Sequence, residues 1–292
     1  MRRDATENPS VAVIVLNWNN WRDTFACLSS LRELDYANYE PVVVDNGSTD
    51  GSEERVRASF PDATVIQAGA NLGFARGNNV GIKYALQQQF HYVWLLNNDT
   101  VADPSALTAL VDVAQSDTSF GAVGSVLYRA DEPKAIQAFG GGWIGLWTGI
   151  SRYFKTPVHN DRLEYIAGAS LLIRRNVLEN VGLLEENFFM YWDDADYGFR
   201  VRKAGWKLAA APESKVWHKE FGSVGGTSPA LAEYYNASAV LFFTKHSSIP
   251  FVPIIIGVGG RMIKRIVVHR EWVRTKAVWR GALAGYKKAK AP

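Results

Sequence analysis

Val11 to Leu16 is apolar without a break and largely β-branched, and it stops at Asn17-Trp18-Asn19-Asn20. A run of that kind marks a parallel strand buried on both faces. The pattern then recurs. Pro41 to Val44 ends in Asp45-Asn46-Gly47-Ser48-Thr49-Asp50-Gly51, Thr64 to Gln67 precedes Asn71-Leu72-Gly73-Phe74-Ala75-Arg76-Gly77-Asn78-Asn79, and Tyr92 to Leu96 stops at Asn97-Asn98-Asp99. Helical patterns fill the intervals: Phe25, Leu28, Leu31 and Leu34 fall at every third residue, Ser52 to Ser59 follows the second strand, and Asp103-Pro104 opens a helix over Ser105 to Gln115. Strands alternating with helices at this spacing predict an α/β chain with a doubly wound, mostly parallel, Rossmann-like sheet. Ligands of such sheets gather beyond the carboxyl ends of the strands, so the polar tips face one nucleotide-sized crevice. A strand, an acidic tip and a helix suit a hard cation, although an Asx turn ending a strand has the same look.

Beyond Ala122 the pattern changes. Phe139 to Trp147 mixes glycines with large aromatics and reads as a loop, either a flap whose tryptophans, Trp143 among them, stack on sugar rings or a plain surface segment. Tyr165 to Arg174 is a strand in which Gly168-Ala169-Ser170 lets something approach the backbone closely. Asn187 to Trp192 is rich in bulky apolar residues and leads into a helix with Asp193, Asp194 and Asp196 in its first turn and basic residues in its last. Capping and the helix dipole account for that charge order. They do not account for the apolar wall before it, and a carboxylate held against such a wall is what a general base needs. His218 ends a closing strand. A lone histidine is most often structural; beside an acidic tip it is also a metal-ligand candidate.

With 292 residues, 47% hydrophobic and 21% charged, the chain is an ordinary globular one. No G-x-G-x-x-G and no Walker lysine follows the first strand, so a backbone phosphate cradle is not expected, and diphosphate charge must be met by a metal or by side chains. The single Cys27 excludes an internal disulfide and fits a reducing, cytoplasmic compartment. Arg2 and Arg3 precede Val11 to Leu16, but that run is too short for a signal sequence. Nothing reaches the ~18 uninterrupted apolar residues of a membrane span.

Taken together, the motifs from Val11 to Asn17, Val43-Val44-Asp45-Asn46-Gly47-Ser48, Asn71 to Asn79, Asn97-Asn98-Asp99, Asp193-Asp194-Ala195-Asp196 and His218 resemble the inverting glycosyltransferases of family 2, with the GT-A fold. The match covers about residues 10 to 245 and leans toward the bacterial branch of rhamnosyl- and galactofuranosyl-type transferases. The resemblance implies that Asp45 receives the N3–H of a uracil or thymine base framed by Leu16 and Asn17. It implies further that Gly73 to Asn78 face ribose and diphosphate with Arg76 as a charge partner, and that Asn98 sits in the same nucleotide-sugar site. Asn97-Asn98-Asp99 occupies the place of the family's D-x-D motif, with Asn97 in place of the first aspartate. Asp99 and His218 are then the ligands of Mg²⁺ or Mn²⁺, Asp194 the catalytic base, kept ionised by its helix start, and Asp193 stands where glutamate is common. Trp143, Gly168, Ser170, Trp192 and Asp193 are the candidate acceptor-side residues.

The expected organisation is a catalytic domain over 1–229, with a nucleotide half at about 10–120 and an acceptor half at about 121–229, and a helical basic extension over 230–292. From Arg261 onward ten basic residues face the single acid Glu271. Preceded by the short, proline-broken apolar run Ile249 to Val258 and carrying Trp272 and Trp279, this tail reads as an interfacial anchor on anionic lipid. An oligomer interface or a helix closing the domain are the other readings. No nucleic-acid module is present. The expected function is metal-dependent transfer from a nucleotide-diphosphate donor, dTDP-rhamnose before a UDP-sugar, to a cell-surface glycan or lipid-linked precursor at the inner face of the membrane. A non-catalytic sugar-nucleotide-binding scaffold is the alternative, and a pyrophosphorylase lacks its lysine-bearing loop.

Overall fold

A computed structural model describes residues 8–219, 228–267 and 270–290, and of Arg265 the backbone alone. Arg2, Arg3 and residues 220–227 of the expected catalytic domain lie outside the described residues. The first half alternates as the sequence predicts: β1 (Val11–Asn17), α1 (Trp21–Arg32), β2 (Tyr39–Asp45), α2 (Ser52–Ser59), β3 (Thr64–Gln67), α3 (Phe74–Gln87) and β4 (Tyr92–Asn97). β1 is flanked by β2 and β4, both parallel to it, and it is buried along its length because neither face meets water. The registers bring the tips level, Asn17 beside Asp45 and Leu16 beside Asn97.

After a short β5 (Thr100–Ala102) come α4 (Ala106–Ser116), β6 (Phe120–Arg129), β7 (Ile136–Phe139), β8 (Gly141–Gly145) and β9 (Ile150–Tyr153). The stretch expected as a glycine-aromatic loop is therefore two strands and a turn. β8 pairs with β9 and with β10 (Tyr165–Ile166) in a small antiparallel sheet. Its glycines are there for close backbone approach: a Cβ on Gly141 would stand 1.8 Å from the Tyr165 carbonyl oxygen, and one on Gly142 2.2 Å from that of Arg152. Next in the chain are β11 (Ser170–Arg174), α5 (Arg175–Val181), α6 (Asp193–Lys203) and β12 (Lys207–His218). The strand expected over Tyr165 to Arg174 is thus split at Ala167–Ala169, and the two expected closing strands are one, with an irregularity between Ala211 and Lys215.

The main sheet runs β3-β2-β1-β4-β11-β6-β12-β5, with β7 on β6. β11 enters antiparallel between β4 and β6, so the mostly parallel sheet that the sequence predicts is mixed at that point. One apolar layer lies under α1 and α4, around Trp94, Leu107 and Leu110; the other lies under α3, α5 and α6, around Ile14, Ile82 and Tyr197. Three helices close the chain, α7 (Pro229–His246), α8 (Phe251–Val267) and α9 (Trp272–Lys290). Ser228 caps α7, accepting from the Ala230 N–H at 3.2 Å, with Pro229 at the first helical position. α7 is held by a dense aromatic cluster in which Trp192 meets Tyr235, Phe242 and Phe243 at ring-centroid distances of 5.1–5.5 Å. No helix among the described residues is long and apolar enough to cross a membrane.

Candidate active site

Beyond the carboxyl ends of β1 and β4 lies a cavity of about 720 Å³. Asn97, Asn98 and Asp99 form one wall, Gly168 with Trp192, Asp193 and Asp194 another, and Tyr234 and Tyr235 of α7 a third. Two tips from opposite halves of the chain therefore share one space.

Asp99 and His218 meet because β12 runs antiparallel to β5, with His218 opposite Thr100. His218 Nε2 lies 3.3 Å from Asp99 Oδ1 and 3.4 Å from Asn97 Nδ2, while Nδ1 lies 3.0 Å from Gln137 Oε1. In the tautomer whose Nδ1–H donates to Gln137, Nε2 turns its lone pair toward the Asp99 oxygen, as in metal-binding histidines. One nitrogen and one carboxylate oxygen suit Mg²⁺ or Mn²⁺ in part of its coordination shell. No group of three or more His, Cys, Asp or Glu able to hold a metal occurs among the described residues, so the remaining ligands would come from elsewhere.

Asp194 belongs to the first turn of α6, and one turn on, Gly198 lets that helix sit against β10, since a Cβ there would stand 2.6 Å from the Tyr165 Cα. That contact carries Asp194 to the gap between β10 and β11. Its Oδ2 accepts the Gly168 N–H at 3.1 Å and its Oδ1 the Ala195 N–H at 2.8 Å. What the small residues at 168–170 admit is thus the Asp194 side chain. Burial raises the Asp194 carboxyl to about 6, against the two backbone N–H bonds, which lower it. The helix start was expected to keep Asp194 ionised; at about 6 it is still ionised at neutral pH, with desolvation setting it above the usual carboxylate value. Asp193, 3% exposed, is pushed well above the usual carboxylate range, first by burial and then by the charge of Asp194.

Tyr191 and Trp192, just before α6, both lie in the left-handed region at φ 66° and 65°. Such residues cost on the order of 1–3 kcal/mol each and persist where packing over-determines them, here through the α7 aromatics. The same loop is tied to α3: the Phe74 N–H donates to the Phe189 carbonyl at 2.6 Å, and Gly73, at φ 81°, leaves no room for a Cβ, which would stand 2.4 Å from that oxygen.

The family model described as "Glycosyltransferase like family 2" matches residues 9–236. The chain belongs to that family. An N-acetylglucosaminyl-diphospho-decaprenol L-rhamnosyltransferase of Mycobacterium tuberculosis is 29% identical over 74% of this chain and 80% of its own length. A low-salt glycan biosynthesis hexosyltransferase of Haloferax volcanii is 24% identical over 94% and 90%. Among solved structures, a mannosyltransferase of Pyrobaculum calidifontis, in complex with GDP-Man and Mn²⁺, superposes with a TM-score of 0.60 at 21% identity, covering 99% of this chain and 77% of that one.

In this family 2 glycosyltransferase the expected site residues divide into those at the cavity and those behind it. Gly73, Asn98, Asp99, His218, Gly168, Trp192, Asp193 and Asp194 line it. Asn17 and Asp45 are buried behind the wall, where Asp45 accepts from Asn17 Nδ2 at 2.9 Å, from the Ser48 N–H at 2.8 Å and from Gln67 Nε2 at 3.1 Å. Asn46, the next residue, does reach the cavity. Asn78 is buried, with its amide donating to the Phe74 carbonyl, and Ser170 is buried, accepting from Trp94 Nε1 at 2.9 Å. Arg76 pairs with Glu186 at 2.9 Å and is not part of the cavity lining, because α3 turns that position toward the 184–187 loop. Trp143 stands on β8, exposed and off the cavity lining. Sequence reasoning missed Trp18, Gln137, Tyr234, Tyr235, Arg261 and Arg274, all of which line the cavity. For Trp18 the signal was its place in a strand-end polar cluster; for the α7–α9 residues, set apart as an extension beyond 229, there was none.

Proposed function

We propose that this family 2 glycosyltransferase moves a sugar, with inversion, from a nucleotide-diphosphate donor to a hydroxyl of a lipid-linked or cell-surface glycan precursor. The observation that carries the reading is that Asp194 and Asp99, nearly a hundred residues apart in sequence, wall one cavity large enough for a sugar nucleotide. The relatives act on glycans by name, and the mycobacterial one names a diphospho-decaprenol acceptor and rhamnose; dTDP-rhamnose is accordingly the favoured donor, before a UDP-sugar.

The acceptor hydroxyl attacks the anomeric carbon as its proton passes to Asp194, and the bond from that carbon to the diphosphate oxygen breaks. A single displacement inverts the anomeric centre. Two backbone N–H bonds fix the Asp194 carboxylate, so its orientation is set before substrate arrives. Asp193, holding its proton, spares Asp194 a second negative charge beside it. Asp99, His218 and the donor phosphates would hold Mg²⁺ or Mn²⁺, which supplies Lewis-acid stabilisation to the departing diphosphate. The solved neighbour with GDP-Man and Mn²⁺ supports that assignment.

The exposed faces of α8 and α9 support a peripheral place on an anionic membrane. α8 turns Phe251, Ile255, Ile256, Ile263 and Val267 outward, and α9 turns out Trp272, Trp279, Leu283 and Tyr286 amid Lys276 and Lys287. Aromatic rings interleaved with lysines on an outward helix face suit the interface between headgroups and acyl chains.

Asp194→Asn tests the base. General-base loss lowers kcat by about 10²–10⁴-fold, with nucleotide affinity unchanged by calorimetry. Undiminished turnover in that variant removes Asp194 from the chemistry.

A further inference from the structure

The cavity has a cationic side that the transfer step leaves unused. Arg261, from α8, and Arg274, from α9, both line it, together with Tyr235 and Asn236 of α7. Arg261 is set in place by the sheet and the helices at once. Its Nε donates to Asn236 Oδ1 at 2.8 Å, Nη1 reaches the Gly149 carbonyl at 3.4 Å, and the guanidinium lies 5.3 Å from the centre of the Tyr235 ring. Gly149 ends the β8–β9 turn and packs directly on α8, where a Cβ would stand 2.2 Å from the Pro253 carbonyl oxygen. Arg274 is held from its own helix, Nη1 lying 3.0 Å and 3.2 Å from the two carboxylate oxygens of Glu271.

Two guanidiniums brought by separate helices to one wall suit a polyanion. The planar fork of arginine matches phosphate oxygens in pairs, which a lysine ammonium does not. The same helices explain where such an anion would come from. Trp272 and Val273, immediately before Arg274, are 64% and 68% exposed, and Ile255 and Ile263, on the α8 of Arg261, are 66% and 63% exposed. An anion gripped at the cavity wall thus has an apolar helix surface beside it, suited to a hydrocarbon chain.

Resting on the transferase reading, we propose that Arg261 and Arg274 bind the diphosphate of a prenyl-diphosphate-linked acceptor, with α8 and α9 as the surface along which its lipid leaves the cavity. The acceptor class is therefore a lipid diphosphate, and these residues select it over a neutral glycan end. The donor diphosphate belongs at the Asn97–Asp99 tip, and the acceptor diphosphate at the helical wall.

Calorimetry on the full chain tests this, with the donor pocket saturated by whichever nucleoside diphosphate binds it. Farnesyl diphosphate is titrated below its micellar concentration, with farnesyl monophosphate, farnesol and inorganic pyrophosphate as comparison arms. Binding is expected to follow the order diphosphate, monophosphate, farnesol, with pyrophosphate weaker than farnesyl diphosphate. Arg261→Gln and Arg274→Gln are each expected to weaken farnesyl diphosphate by about tenfold or more, as for a lost charged hydrogen bond. Nucleoside diphosphate affinity stays within about twofold, and Arg→Lys restores part of the loss. Because Arg261 also ties α7 to the β8–β9 turn, thermal melts accompany its variant, and Arg274→Gln carries the test if Arg261→Gln does not fold. Unchanged farnesyl diphosphate affinity in Arg274→Gln overturns the proposal. So does a parallel loss of nucleoside diphosphate, which would assign the arginines to the donor, or equal binding of pyrophosphate or of farnesol, which would remove the lipid or the phosphate. The base assignment reads out separately, in the turnover of Asp194→Asn, so failure of one leaves the other standing.

Discussion

Asp194 titrates under opposed influences whose outcome fixes when it can act. Burial raises it to about 6, and the Gly168 and Ala195 N–H groups, though they lower it, do not bring it back to the ordinary range. A base works ionised, so kcat/KM is expected to climb with pH through an acidic limb near 6 and to level above it. Raised folded pKa values also mean that the Asp193–Asp194 pair favours the fold most below about pH 4, and that this contribution is lost as pH rises through the folded values. Above about pH 6 the fold thus carries an ionised Asp194 at some cost, unlike the carboxylate of a stabilising bridge. An acidic limb near 4 in the pH–rate profile would place the base in solvent. At the second tip, chelation by EDTA is expected to abolish turnover and to weaken nucleoside diphosphate binding, with Mn²⁺ or Mg²⁺ restoring both; full activity and affinity in chelator would remove Asp99 and His218 from metal duty.

Helix α6 carries the proposed base, and Asp196 anchors that helix. Fully buried, its carboxylate meets Arg200 at 2.7 Å, His246 at 2.7 Å and Lys245 at 3.0 Å, the last two from the end of α7. Burial alone would raise it, but the His246 hydrogen bond and the charges of Arg200 and Lys245 outweigh that and hold it down at about 2. A depressed carboxylate stabilises the fold above its unfolded value near 4, and that stabilisation is lost as pH falls through about 2. Asp196→Asn leaves three basic groups around a buried amide and is expected to lower stability at pH 7 by about 3–5 kcal/mol in urea unfolding. The difference from the native chain shrinks between pH 4 and pH 2. An unchanged urea midpoint at pH 7 would show that α6 is held by its apolar face alone.

Across the whole molecule charge is divided, with ten basic residues against one acid from Arg261 onward and the preceding residues net acidic. Arg261 and Arg274 from the basic stretch and Asp99, Asp193 and Asp194 from the acidic part line one cavity. Flotation with phosphatidylglycerol vesicles is expected to recover the native chain, and phosphatidylcholine vesicles to recover less. Each basic residue near an anionic surface contributes about 1 kcal/mol, so Lys276→Glu with Lys287→Glu is expected to lower partitioning by at least tenfold. Equal recovery of native and variant chains with both lipids would assign the exposed face to another partner.

The central strands of the sheet were legible because each announces itself locally. Val11 to Leu16 and Tyr92 to Leu96 are apolar runs that end in polar tips, and neither needs a distant residue to be recognised. The polar and acidic tips at Asn97-Asn98-Asp99 and Asp193-Asp194 were legible for the same reason. Exposure of a side chain to a cavity is different, since it is set by everything that packs around it. Asp45 and Asn17 stand at strand tips as expected, yet their own hydrogen bonds turn them into the frame behind the wall, while Asn46 reaches the cavity. Gly141 and Gly142 read as loop because a glycine's local freedom is visible in sequence, whereas the backbone approaching it, Tyr165 or Arg152, is not. The ionisation of Asp194 and the arrival of Tyr235, Arg261 and Arg274 were likewise decided only by tertiary packing. Desolvation and enclosure belong to groups far apart along the chain, and no local pattern encodes them.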